Sequence, residues 1–136
     1  MTTELTVLAY AALLQVVQFA LMSVAVNLDV GVAKTASARD ASRLGKPLAD
    51  LLNDTSGRLF RAFDNHFEGL ILFTIAVVII TLGDQSTNVT TTCAWVYLIA
   101  RIAYVPAYYF GWAPWRSLIW FAGFGATVVM LLAALI

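Results

Sequence analysis

From Leu5 to Leu28 the chain carries no charged side chain, and only Gln15, Gln18 and Asn27 are strongly polar. A helix needs about 20 largely apolar residues to cross roughly 30 Å of hydrocarbon, so this stretch predicts a first membrane span over about 5–28. No basic segment precedes it and it is too long for the core of a secretory signal, so it is expected to stay in the protein. A second span, about 58–83, opens with polar turns and is uncharged from Gly69 to Gly83. The third, about 88–110, carries Arg101 in its interior and Pro106 near its end. The fourth, about 116–136, is uncharged after Arg116. Between the first two lies a connector, about 29–57, whose mixture of Ala, Ser, Asp and Arg with Gly45 and Pro47 cannot build a core. It reads as a loop with one short surface helix, and Asp54, Thr55, Ser56 and Gly57 offer cap chemistry for the second span. The whole chain, 1–136, is expected to be one transmembrane domain.

Composition agrees with the pattern. Of 136 residues, 61% are hydrophobic and 12% charged, and the mean hydropathy is +0.84, which is too apolar for an ordinary soluble domain. The fold class is therefore an all-α integral membrane four-helix bundle in a lipid bilayer, with no nucleic-acid partner expected. Lys34, Arg39, Arg43 and Lys46 lie in the connector, and Arg58 and Arg61 open the second span, while the connector at Asp84–Thr87 holds no basic residue. Basic residues near span ends are retained on the cytoplasmic side, which places the long connector and the turn before Arg116 there and both termini on the non-cytoplasmic side. Cys93 is a single thiol, which argues against a disulfide framework and for packing. Trp95, Trp112, Trp115, Trp120, Tyr97 and Tyr109 read as interfacial anchors or lipid-facing bulk. Gly123 and Gly125, with Ala122 and Ala126, predict close helix contact in the fourth span, within or between subunits.

Candidate chemistry is concentrated where the second span begins. At about 100° per residue, Arg58, Arg61, Asp64, Asn65 and Glu68 fall within an arc of about 120°, whereas His66 points away and, standing alone, suggests no metal site. Guanidinium groups take carboxylates in a fork, a carboxylate takes an ammonium, and a carboxamide holds an amide, so this face suits a small zwitterion. Arg101, Tyr104 and Tyr108 share a stripe on the third span that runs toward the same end, and Arg116 begins the fourth span there. Arg101, deep in its span, needs a counter-charge, for which Glu68 is the expected candidate. Two readings stand side by side: a ligand site, or arginines that snorkel and an ion-pair network that pins helix packing.

At these positions the chain resembles the MAPEG family, the membrane-associated proteins in eicosanoid and glutathione metabolism. Arg58-Leu-Phe-Arg61-Ala-Phe-Asp-Asn65-His-Phe-Glu68 is similar to the family's helix-two signature. Ala100-Arg101, Tyr104, Tyr108 and Ala113-Pro114-Trp-Arg116-Ser117 are similar to its third helix and the start of its fourth. The resemblance implies a divergent bacterial-type member in the inner membrane, assembled as a homotrimer, with glutathione as co-substrate in a cleft between subunits that opens to the cytoplasm. It further implies that Arg61, Asn65, Glu68, Arg101, Tyr104 and Tyr108 hold glutathione and that Arg116 is the catalytic residue. A guanidinium beside the sulfur would favour the thiolate and raise its nucleophilic fraction at neutral pH. A transferase or peroxidase acting on small lipophilic electrophiles would follow; the alternative is a non-catalytic membrane protein that binds a thiol or lipid in the cleft or uses the polar residues only for packing. Gly69 stands where several members carry an aromatic residue. The connector residue that reaches a neighbouring site is open between Lys34 and Arg39.

Overall fold

The computed structural model describes residues 1–136, except for the side chains of Ala41, Arg43 and Ala49; the connector cation Arg43 thus lies outside the described side chains. Four helices are long and apolar enough to span a membrane: α1 (Thr3–Val30), α4 (Asp54–Leu82), α5 (Asn88–Tyr109) and α6 (Trp115–Ala133). The connector adds two single-turn helices, α2 (Val32–Thr35) and α3 (Ala41–Leu44), and a 3-10 turn at Leu48–Leu51, more local structure than one short helix.

Local chemistry sets the helix ends. Thr2 caps α1 through the Leu5 amide, and α1 stops at Gly31, whose φ of 92° suits a residue without a Cβ. The second span begins at Asp54, about one turn before Arg58, because the cap is Asn53, whose Oδ1 accepts from the Ser56 amide at 2.8 Å. Asn53 is itself held by Asp29 at the end of α1, with contacts of 3.0 and 2.9 Å, so the cap also closes the connector. Thr87 and Thr90 form a reciprocal capping box at the start of α5.

α1 and α6 each pack against both α4 and α5. The apolar core of Val7, Ala11, Phe73, Val77, Ile80, Ala94, Leu98 and Met130 fills the half of the bundle away from the connector. Beyond it, the fully buried Glu4 accepts hydrogen bonds from Ser86 at 2.8 and 2.9 Å, Thr90 at 2.5 Å and Thr91 at 3.3 Å, which ties the start of α1 to the α4–α5 turn. Large apolar side chains such as Leu13, Val16, Ile71, Ile99 and Phe121 are exposed, as a bilayer allows. Gly123 faces Ala100, Arg101 and Tyr97, so its close contact lies within the chain; Gly125 has open space beside it.

His66 is fully buried toward α1, where Nδ1 donates to Gln15 Oε1. Its position away from the polar arc thus reflects a helix seam. Gln15→Leu is expected to strand a buried imidazole and cost about 1–3 kcal/mol, whereas Gln15→Leu with His66→Leu recovers most of that loss. Thermal unfolding in detergent checks this; equal losses in the single and double variants would contradict it.

Candidate functional site

Two adjoining cavities lie in the connector-proximal half of the bundle, between α4, α5 and α6. The deeper one, of about 180 Å³, is lined by Asn65, Glu68, Gly69, Leu72, Tyr97, Arg101, Trp120, Phe124 and Thr127. The mouth cavity, of about 270 Å³, is lined by Arg61, Asn65, Tyr104, Tyr108, Arg116, Ser117, Trp120 and Phe121. Asn65 and Trp120 belong to both. Arg61, Asn65, Glu68, Arg101, Tyr104, Tyr108 and Arg116, drawn from three helices, therefore each line one or both of two adjoining cavities.

The spacing on α4 explains the placement. Arg61, Asn65 and Glu68 recur at helical intervals and so present one stripe to α5, where Arg101, Tyr104 and Tyr108 answer it. Arg101 is 3% exposed, and one terminal nitrogen donates to Asn65 Oδ1 at 3.1 Å. Glu68, expected to be its partner, lines the same cavity but is exposed; Asn65, one turn earlier on α4, is level with the guanidinium. The Arg101 guanidinium also stands 4.8 Å from the Tyr104 ring. Around Tyr108 two more cations gather: Arg61 Nε donates to its hydroxyl at 3.1 Å, and the Arg116 guanidinium lies 4.9 Å from its ring centre. Phenol rings accept cations on their faces, so Tyr104 and Tyr108 hold these arginines in place without neutralising them.

Other candidate polar residues stand apart. Arg58 donates to the Tyr109 carbonyl at 3.3 Å and lines neither cavity. Asp64 is exposed and likewise outside both. Arg39 donates through Nε to the Thr35 carbonyl at 2.5 Å and lines a separate space with Phe19, Asn27 and Phe60, so within this chain neither it nor Lys34 reaches the site. Among the described residues, no group of three His, Cys, Asp or Glu side chains is placed to share a metal ion.

Compared with known proteins, residues 7–136 match the model of the MAPEG family. The chain belongs to the MAPEG family. No significant match emerged among curated proteins or among solved structures.

As a MAPEG protein with four apolar helices, it is an integral membrane protein of a family associated with glutathione in general. Two aromatic residues that read in sequence as anchors or lipid-facing bulk stand in the cavity walls instead. Tyr97 is 2% exposed and stacks on Phe73 with ring centres 3.9 Å apart. Trp120 is half-buried in the wall shared by both cavities and stacks on Phe124 at 5.0 Å. Helical spacing offered the missing signal: Tyr97 lies one turn before Arg101 on the same stripe, and Trp120 one turn after Arg116. Ser117 joins the mouth cavity beside Arg116.

Proposed function

We propose that this MAPEG protein is a glutathione-dependent transferase or peroxidase that acts on lipophilic electrophiles. The observation that carries the proposal is how charge is divided between the two cavities. The deep cavity has one carboxylate, Glu68, and one guanidinium, Arg101, which complements the ammonium and carboxylate of an α-amino acid group. Among the described residues the mouth cavity has two guanidiniums, Arg61 and Arg116, and no carboxylate, which complements a second carboxylate and a thiolate. Asn65 sits on the wall between them, where a peptide amide would pass. Along glutathione the α-amino acid group comes first, then a peptide amide, then the thiol and the second carboxylate.

In this proposal Arg61 takes the glycyl carboxylate and Arg116 stabilises the sulfur anion, with the thiol proton released to solvent. In conjugation, the sulfur bonds to an electrophilic carbon as the leaving group departs with its bonding pair. In peroxide reduction, the sulfur takes the terminal oxygen, the O–O bond breaks and the alkoxide is protonated; a second glutathione then converts the sulfenic acid to the disulfide and water. The electrophile arrives through the bilayer along Leu72, Phe121 and Phe124.

A homotrimer completes the site. Arg61 and Glu68 are exposed on the single chain, and ionised groups at membrane depth are costly unless protein or water covers them. A neighbouring copy supplies that cover and leaves the mouth open on the connector side, which we place in the cytoplasm, with the protein in the bacterial inner membrane. Titration calorimetry of the detergent-solubilised protein with glutathione tests the proposal. The wild type is expected to bind, and Arg61→Ala to bind about 10- to 100-fold more weakly, the loss of a charge-assisted hydrogen bond. No glutathione binding and no turnover of any electrophile would leave the polar residues with a packing role.

A further inference from the structure

Tyr97 and Arg101 stand one turn apart on α5 and share an unusual property. The Tyr97 hydroxyl and the Arg101 Nε are both buried, and neither has a hydrogen-bond partner among the described residues. Burying such groups without partners is unfavourable, so native proteins keep few of them. Both residues line the deep cavity. Opposite them is Gly69: a Cβ built there would stand 3.5 Å from the Tyr97 oxygen and 3.7 Å from the Arg101 Cζ. A side chain at this position would therefore stand directly against both groups. The stack on Phe73 fixes the Tyr97 ring, and with it the hydroxyl, on that wall.

We infer that Tyr97 is a ligand-binding residue: its phenol and the Arg101 guanidinium together receive the α-carboxylate of the γ-glutamyl group, while Glu68 takes the neighbouring ammonium. This rests on the glutathione proposal above and assigns a role to a residue outside the recognised motifs. Two converging donors on one helix suit the two oxygens of a carboxylate. An anion also answers the electrostatics, because among the described residues the buried Arg101 makes its side-chain hydrogen bond to a neutral carboxamide. Gly69 then sets specificity, since a larger side chain would occupy the carboxylate's position.

The test is calorimetry with three ligands on the detergent-solubilised wild type and Tyr97→Phe. The ligands are glutathione, 4-aminobutyryl-cysteinyl-glycine, which lacks the α-carboxylate, and glutaryl-cysteinyl-glycine, which lacks the ammonium. Tyr97→Phe is expected to weaken glutathione and the glutaryl peptide about tenfold and to leave the aminobutyryl peptide unchanged. Its ligand-free melting temperature should not fall, because the hydroxyl has no protein partner to lose. Losses equal for all three ligands, or no loss for any, overturn the inference while leaving glutathione binding in place. A wild type that binds none of them overturns the glutathione proposal, and this inference with it. Should Tyr97→Phe fail to fold, Gly69→Ala gives the same discrimination: its methyl fits at ordinary contact distance and must penalise the carboxylate-bearing ligands selectively, and a uniform loss overturns the inference.

Discussion

Arg116→Ala is expected to lower kcat/KM for glutathione conjugation by about 10²- to 10³-fold, the cost of removing one charge-stabilising group from a reacting centre. Glutathione affinity should change only a few-fold, because in the proposed site Arg61, Asn65, Glu68 and Arg101 would still hold the ends of the tripeptide. The guanidinium is positioned without being neutralised: it lies against the Tyr108 ring, in the cavity whose described residues include no carboxylate. A cation beside the sulfur lowers the thiol pKa, so on the proposed mechanism wild-type activity is expected to rise with pH through that lowered value and to be already high at neutrality. Without the arginine the rising limb moves up toward about 8.5, the ordinary thiol value, and the defect shrinks at high pH. A pH–rate profile with chlorodinitrobenzene reads both effects. An Arg116→Ala profile superimposable on wild type would remove Arg116 from the chemistry.

Arg101→Leu separates a binding arginine from a packing one. Arg101 is buried, and its side-chain hydrogen bond goes to Asn65, a neutral partner. A buried charge without a counter-charge contributes little to folding, and replacing it with an apolar side chain of similar reach is often neutral or stabilising. The ligand-free melting temperature of Arg101→Leu should therefore hold or rise, while glutathione affinity falls by more than about 100-fold and the ligand-induced rise in melting temperature disappears. Arg101→Lys should rescue poorly, since an ammonium cannot present the guanidinium's planar set of donors. A sharp fall in ligand-free stability would instead mark Arg101 as part of the helix packing.

The spans were legible because long uncharged runs have few interpretations, and the cavity-lining residues Arg61, Asn65, Glu68, Arg101, Tyr104 and Tyr108 because they recur at helical spacing on two helices. Both signals are local along the chain. What escaped depends on how helices sit against one another. Asn65 rather than Glu68 meets Arg101 because the vertical register of α4 against α5 chooses between residues on the same stripe. Tyr97 and Trp120 look alike in sequence whether their rings face lipid or a neighbouring helix. His66 appeared solitary because its partner, Gln15, is 51 residues away. Helix α4 reaches back about one turn before Arg58 because its cap, Asn53, is held by Asp29 from across the connector.

A structure determined with glutathione in a lipid environment bears most directly on the proposed site. The tripeptide is expected to thread both cavities, with its α-amino acid end between Glu68 and Arg101, its amide at Asn65 and its sulfur beside Arg116. Cavities that stay empty at saturating glutathione, or that a neighbouring subunit's side chains fill, would contradict it.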